Sequence, residues 1–168
     1  MASTEPLSAR AIGVGDRTPA AWSRARGHLE QADFFWLSTA RPDGQPHVRP
    51  ILAVWLDGAC YFSTNASARK AENLAHNARC AIAVRGEAFD LVVKGEAARV
   101  RDESKLQRVA DVFKTKYDWP ETVRDGAFDA ADGAPTAGPP PYVVYEVTPA
   151  TVFGFALEDR FQSTRWRF

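Results

Sequence analysis

Two tight-turn signals most constrain this chain, Arg41-Pro42-Asp43-Gly44 and Asp57-Gly58. In the first, Pro presets φ and Gly supplies a positive φ. The second is a two-residue hairpin signal set between apolar runs. Segments rich in aromatic and branched residues flank both turns. Residues 34–40, 47–56 and 59–64 are therefore predicted to form a three-stranded antiparallel meander.

The same reading predicts strands over residues 80–84 and 89–101. Phe89, Leu91 and Val93 share one side of the second of these, and Gly95 interrupts it where a bulge is expected. Residues 142–147 and 151–156 are two more strands around Thr148-Pro149. About six to seven strands, mostly joined by tight turns, imply an antiparallel barrel or sandwich. No strand–helix–strand alternation occurs, and no GxGxxG precedes a helix, so a dinucleotide-binding fold is excluded.

Three helices accompany the strands. Thr18-Pro19 reads as an N-cap followed by Pro at the first helical position, with the helix running to Ala32. Trp22, Ala25 and Leu29 fall on one face of it. Residues 67–77 form a short helix on which Ala71, Leu74 and Ala75 share a face. Asp102 opens the third, where Leu106, Val109, Ala110, Phe113 and Tyr117 make one apolar stripe before Trp119-Pro120 ends it. Residues 1–17 are small and polar and read as a flexible tail, leaving 18–168 as a single domain. Residues 120–141 hold five of the eleven prolines and three of the eleven glycines. That is long for a structureless connection, so it reads as a lid, a wrapped arm or an inert edge connection. Trp36 and Trp55 lie in strands and are expected in the barrel packing.

Composition narrows the function. The chain's 168 residues suffice for one core without disulfide or metal staples. Lys+Arg and Asp+Glu both number 21, which argues against a nucleic-acid module. The longest apolar run, residues 51–56, is six, far short of the ~18 residues of a membrane-spanning helix, so no membrane role is expected. The first residues carry no apolar signal core. Cys60 and Cys80, without a CxxC, suit a reduced cytoplasmic protein. His28, His47 and His76 are too scattered for a metal site, and no GxSxG supplies a nucleophile elbow.

The start of the short helix is the most informative place. It reads Ser67-Ala68-Arg69-Lys70. Two cations in a first turn oppose the helix dipole unless an anion docks at the free N–H groups there. A phosphate fits, met by the planar fork of Arg and the mobile charge of Lys. Ser63, Thr64 and Asn65 add hydroxyl and amide groups at the end of the preceding strand. Arg49, across the hairpin, can reach the same region. The blander reading makes Arg69 and Lys70 solvated surface charges, one of them paired with Glu72, and Arg49 a charge on the barrel rim.

Residues 34–84 resemble the flavin-binding split barrels related to pyridoxamine 5′-phosphate oxidase. The matching residues are Leu37-Ser38-Thr39, Arg41 to His47, Arg49-Pro50, Asp57-Gly58, Tyr61-Phe62-Ser63-Thr64 and Arg69-Lys70-Ala71-Glu72-Asn73-Leu74. Ser67-x-Arg69-Lys70-Ala71, followed by Asn73-Leu74 and then Asn77-x-Arg79, is the most specific run. The resemblance implies a mainly β, dimeric split barrel with peripheral helices and a cofactor site at the dimer interface. It implies that Arg49, Arg69 and Lys70, with Ser67 at the head of the motif, hold the phosphate of FMN or of the deazaflavin coenzyme F420. Pro50, Ile51 and Leu52 would line the ring, and Ser63 and Thr64 would contact the ribityl chain and the phosphate. Arg165, Trp166 and Arg167 are the candidates for contacts from the partner's C-terminal end. The implied activity is a flavin- or deazaflavin-dependent oxidoreductase acting on a small-molecule substrate. A non-catalytic cofactor carrier or haem-binding barrel is the alternative. True pyridoxamine phosphate oxidases carry an Arg-x-His near the C-terminus, whereas this chain has no His after His76. The acidic tail of F420 would require further cations, for which Arg41 or Arg79 could serve.

Overall fold

The computed structural model describes residues 4–13, 17–87, 89–130, 133, 138–157 and 162–168. Its strands are β1 (Ser8–Ala11), β2 (Phe35–Ala40), β3 (Pro46–Ile51), β4 (Ala53–Leu56), β5 (Ala59–Asn65), β6 (Arg79–Arg85), β7 (Phe89–Arg99), β8 (Thr122–Arg124), β9 (Ala127–Asp129), β10 (Tyr142–Ala156) and β11 (Thr164–Arg167). Its helices are α1 (Trp22–Gln31), α2 (Arg69–His76) and α3 (Glu103–Tyr117). All strand pairs are antiparallel. The main path runs β1-β11-β10-β7-β6-β2-β3, with β4 on β5 and β5 on β10.

β10 closes the barrel. Its first half pairs with β5 from Tyr142 to Val147, and its second half pairs with β11 from Thr151 to Gly154. β7 runs along its other edge across both halves. The switch of partner coincides with an irregularity between Pro149 and Thr151. Pro149 can sit there because a bulge needs no ladder N–H from it. The residue opposite is Gly95, where a Cβ would run into the Thr148 carbonyl. The bulge expected in β7 at Gly95 thus lies on β10, and glycine is needed because the bulged strand leans onto it. The two strands predicted around Thr148-Pro149 are accordingly one bent strand. This is a split antiparallel barrel.

The two turn signals behave as read. Asp57 and Gly58 have φ of 49° and 82°, as a two-residue hairpin demands, and Gly44 has φ of 84°. The predicted strand over 47–56 is divided, with Leu52 separating β3 from β4. Residues 120–141 contain a small hairpin, β8–β9, attached to β10 through Phe128 and Tyr142.

Two expectations about the N-terminal region fail. Ser8–Ala11 is not part of a loose tail, because it pairs in register with Thr164–Arg167. Its polar sequence, largely exposed in the barrel, carries no hydrophobic alternation to read. Helix α1 begins at Trp22, not at Pro19, with Ala21 as an N-cap that makes no side-chain bond. Tertiary bonds hold the approach extended. The Ala20 N–H donates to Thr164 Oγ1 at 2.9 Å, and Trp166 Nε1 donates to the Ala20 carbonyl at 3.2 Å.

The barrel interior packs Phe35, Leu37, Phe62, Ile82, Leu91, Val93 and Val152 against Trp22, Ala25 and Leu29 of α1. A second cluster lies under α3, where Leu106, Val109, Ala110 and Phe113 meet Val54, Tyr61, Phe128, Tyr142 and Val144. Asp102 caps α3 by accepting from the Lys105 N–H at 2.7 Å. Each large side chain buried this way contributes roughly 1.5–3 kcal/mol. Trp55 is in the core, but Trp36, expected there too, is half exposed on the outer face of β2. Alternation explains the difference, since Phe35 and Leu37 already point inward. No described helix is long and apolar enough to cross a membrane.

Candidate functional site

A cleft of about 680 Å³ opens where β2 and β3 meet the start of α2 and the end of α3. Six of the sequence-derived candidates line it: Pro50, Ile51, Leu52, Ser63, Thr64 and Lys70. Pro50 and Ile51 end β3 and Leu52 follows it, so the strand break turns an apolar stretch toward the cleft. Ser63 and Thr64 lie near the end of β5, next to α2. Thr64 is fully buried and its Oγ1 has no hydrogen-bond partner among the described residues.

Lys70 is half-buried in the first turn of α2. Burial lowers its pKa, and the positive charge of Arg49 lowers it further. A cation so placed gains by meeting an anion, which favours its charged form. Arg49 is exposed and donates to the Val48 carbonyl at 2.9 Å. Arg69 is exposed and pairs with Glu72 at 2.8 Å, as the blander sequence reading allowed. Ser67 bonds Asn65 Oδ1 through both its N–H and its hydroxyl, at 2.9 and 2.8 Å, which shapes the turn entering α2.

His47 on β3 is buried, and burial lowers its pKa first, followed by the fields of Arg49, Arg41, Lys70 and Arg69. The fields of four cations therefore act on one imidazole. His47 Nδ1 lies 3.5 Å from Thr39 Oγ1, which accepts from Asn73 Nδ2 at 2.9 Å. That chain ties α2 to β2 one turn after Lys70.

The C-terminal candidates lie elsewhere. Trp166 is fully buried in the core against Trp22, ring centroids 5.6 Å apart. It does not line the cleft, and a side chain closed off inside its own subunit is not available to a partner's ligand. Arg165 and Arg167 flank it on β11 and point to the other side of the strand.

The far wall of the cleft was not anticipated. It comprises Asp33, Phe34, Phe35 and Trp36 at the start of β2, Tyr117, Asp118 and Trp119 at the end of α3, and Tyr142 on β10. The Tyr117 hydroxyl donates to the Ala53 carbonyl at 2.7 Å and reaches the Asp33 carbonyl at 3.4 Å. Burial pushes its pKa up to about 12. The Tyr142 hydroxyl donates to the Gly138 carbonyl at 2.5 Å. Both phenols are committed to backbone, so neither is poised to move a proton.

Comparison with solved structures finds the same fold in several proteins. An FAD-binding protein from Mesorhizobium loti is 22% identical over 96% of this chain and 100% of that one, with a TM-score of 0.58. An F420 reductase is 23% identical over 76% and 94%, with a TM-score of 0.55. A haem-binding protein from Mycobacterium smegmatis is 18% identical over 88% of this chain and 59% of that one, with a TM-score of 0.64. At these identities the likeness is one of fold. No curated relative matches by sequence. The sequence model of the pyridoxamine 5′-phosphate oxidase family matches residues 22–156, most of the chain and the whole of the cleft, and the chain belongs to that family.

Proposed function

We propose that this protein is a cytosolic flavin- or deazaflavin-dependent oxidoreductase that holds FMN or F420 in the cleft and passes hydride to or from a small organic substrate. One observation carries the reading. Lys70, half-buried and within the field of Arg49, and Thr64, whose buried Oγ1 has no partner among the described residues, line one cleft with the apolar Pro50–Leu52 stretch. A ligand with a phosphate at one end and a flat ring at the other suits that arrangement. The cleft volume of about 680 Å³ falls within the roughly 300–1,000 Å³ usual for small-molecule sites. The bound flavin or deazaflavin would supply the hydride chemistry. The protein's part is to clamp the phosphate, seat the ring and exclude water. The buried free thiols of Cys60 and Cys80 suit a reducing compartment.

A homodimer belongs to the same proposal. Trp36, Ala83, Val92 and Phe153 lie in register across β2, β6, β7 and β10, on the outer face of the sheet. Phe34, Trp36 and Phe155 on this side are 80%, 50% and 45% exposed. An apolar face of that extent marks an interface, and a second copy would also wall the mouth of the cleft.

A carrier role without turnover is the second reading, favoured by the committed phenols of Tyr117 and Tyr142. Haem suits this cleft less well. Haem iron takes His, Cys, Met or Tyr as axial ligand. Among the described residues no His, Cys or Met lines the cleft, and both tyrosine hydroxyls are tied to carbonyls. The test is titration of cofactor-free protein with FMN, F420 and haem, followed by absorption and fluorescence. Tight binding of FMN or F420 with reduction of the bound cofactor by a hydride donor supports the enzyme. Binding without redox turnover supports the carrier, and binding of haem alone overturns both flavin readings.

A further inference from the structure

Two rings that line the cleft, Trp119 and Tyr142, bracket the β8–β9 hairpin in the chain and lie 6.0 Å apart by their centroids. Within itself the hairpin is well made. Asp125 and Gly126 have φ of 52° and 70°, as a two-residue turn needs. The Thr122 hydroxyl donates to the Asp129 carbonyl at 3.1 Å, and Arg124 pairs with Asp129 at 3.3 Å. Its hold on the rest is slight. Among the described residues its ladder meets β10 at one pair, Phe128 with Tyr142. Phe128 also packs on Phe113 of α3, ring centroids 6.0 Å apart, and Val123 is partly buried in the same cluster. A two-stranded hairpin alone is marginal in water, so these few contacts decide whether it stays down. Short turns bound it on both sides. The Glu121 N–H donates to the Trp119 carbonyl and the Gly133 N–H to the Ala130 carbonyl, each at 2.9 Å.

Glu121 stands at the first of these joints. Both its carboxyl oxygens are buried, and neither has a hydrogen-bond partner among the described residues. Of the charged groups on the neighbouring elements, Arg124 and Asp129 pair with each other, and Lys116 turns to the Ala53 carbonyl at 3.4 Å. Arg101, Lys114 and Asp118 are exposed. Burial alone pushes the Glu121 pKa up, to about 8. A neutral acid can stay in such a place, whereas the anion needs water. Lifting a weakly held hairpin admits water at less cost than opening the barrel. We propose that β8–β9 is a flap on the wall of the cleft, shut while Glu121 is protonated and released when its proton passes to solvent. Release parts Phe128 from Tyr142 and removes the support behind two rings of the cleft. The consequence for a bound flavin rests on the reading of the cleft given above; the flap itself does not.

The test is amide hydrogen exchange of the full chain at about pH 5–7.5, corrected for the chemical exchange rate at each pH. Amides of Thr122–Arg124 and Ala127–Asp129 should open about tenfold more readily per pH unit, since opening releases one proton. Their opening constant should exceed that of β6 and β7 throughout, because the flap lifts from a folded barrel. In Glu121→Gln the hairpin's opening constant should not vary with pH. Glu121→Met, apolar and close in shape, serves if the buried amide unfolds the chain, and should be equally flat. Hairpin amides that open independently of pH, or only together with β6 and β7, overturn the flap. A pH dependence that survives in the variants does the same. FMN binding is measured separately by flavin fluorescence. With FMN at about a hundred times its Kd, hairpin opening should fall at least about tenfold, the shut form binding the better. Unchanged opening in saturating FMN overturns the link between flap and cleft. Failure to bind FMN at any pH overturns the cofactor reading, and the exchange of the cofactor-free protein then decides the flap.

Discussion

Asn73 donates its side-chain amide to Thr39 Oγ1 at 2.9 Å, and both residues are buried. This bond joins α2 to β2 beneath the cluster of cations. Asn73 lies three residues beyond Lys70, on the inward face of the same short helix. A helix of eight residues is too short to hold itself, so its position comes from what it is fastened to. The place where Lys70 presents its ammonium is therefore set by a polar contact that touches no ligand.

Breaking that contact from either side should loosen the phosphate end. Thr39→Val leaves the Asn73 amide buried without an acceptor, and Asn73→Ala leaves a small cavity. Each is expected to cost about 1–3 kcal/mol in urea unfolding. The double variant should cost clearly less than the two single losses added, since the partners share one bond. FMN affinity should fall in every folded variant. Additive stability losses with unchanged FMN affinity would mean that the bond does not position α2.

Lys70→Ala and Arg49→Ala should weaken FMN while sparing riboflavin, which lacks the phosphate. A charge-assisted bond to phosphate is worth roughly 1.5–3 kcal/mol, or about 10- to 150-fold in Kd. Lys70→Ala should leave the cofactor-free protein as stable or slightly more so, because a half-buried cation leaves a positive helix start. Parallel titrations with the two ligands decide the matter. Equal losses for both would assign these residues to the ring slot or the fold.

Trp166→Ala should act on the fold and not on the cofactor. The indole is fully buried, sits 5.6 Å from the Trp22 ring and donates to the Ala20 carbonyl. Its loss should cost about 3–5 kcal/mol. Removing Thr164–Arg167 altogether would also strip β1 and β10 of their shared neighbour, and such a chain is expected to unfold at ordinary temperature. Melting curves measure this. FMN affinity of folded Trp166→Ala, taken at low temperature, should match the natural protein.

What could be read from the sequence was local, and what could not was assembled from afar. Asp57-Gly58 and Asp102 act through neighbours one to three residues away, and both do what their chemistry requires. Pro50 to Leu52, Ser63, Thr64 and Lys70 reach one cleft because two short turns join them. Asp33 and Asp118 meet there only after α3 has packed on the barrel, and no spacing in the sequence relates them. Trp166 was misplaced although a signal existed. In Thr164-Arg165-Trp166-Arg167 every second residue is buried, the period of a strand with one face in the core. The flanking arginines drew attention to charge, whereas the alternation pointed to burial.

Glu121 gives the protein a pH dependence of its own. The side chain is 7% exposed, and neither carboxylate oxygen has a hydrogen-bond partner among the described residues. Burial pushes its pKa up to about 8 from the usual 4.5. Below pH 4.5 the group is protonated in folded and unfolded chains alike, and pH has no effect through it. Between 4.5 and 8 the folded chain keeps a proton that the unfolded chain has released. Stability therefore falls as pH rises, by about 1.4 kcal/mol per pH unit. Above 8 both states are ionised and the loss levels off, at about 5 kcal/mol in all. Glu121→Gln removes the titration and keeps the shape. Its unfolding free energy, set against that of the natural protein, should be nearly equal at pH 5 and several kcal/mol higher at pH 8. The buried amide adds a cost that does not vary with pH, so the change in the difference between pH 5 and 8 is the quantity to measure. Urea titrations at these pH values that run parallel for the two proteins would show that Glu121 is ionised in the folded chain and has found a partner.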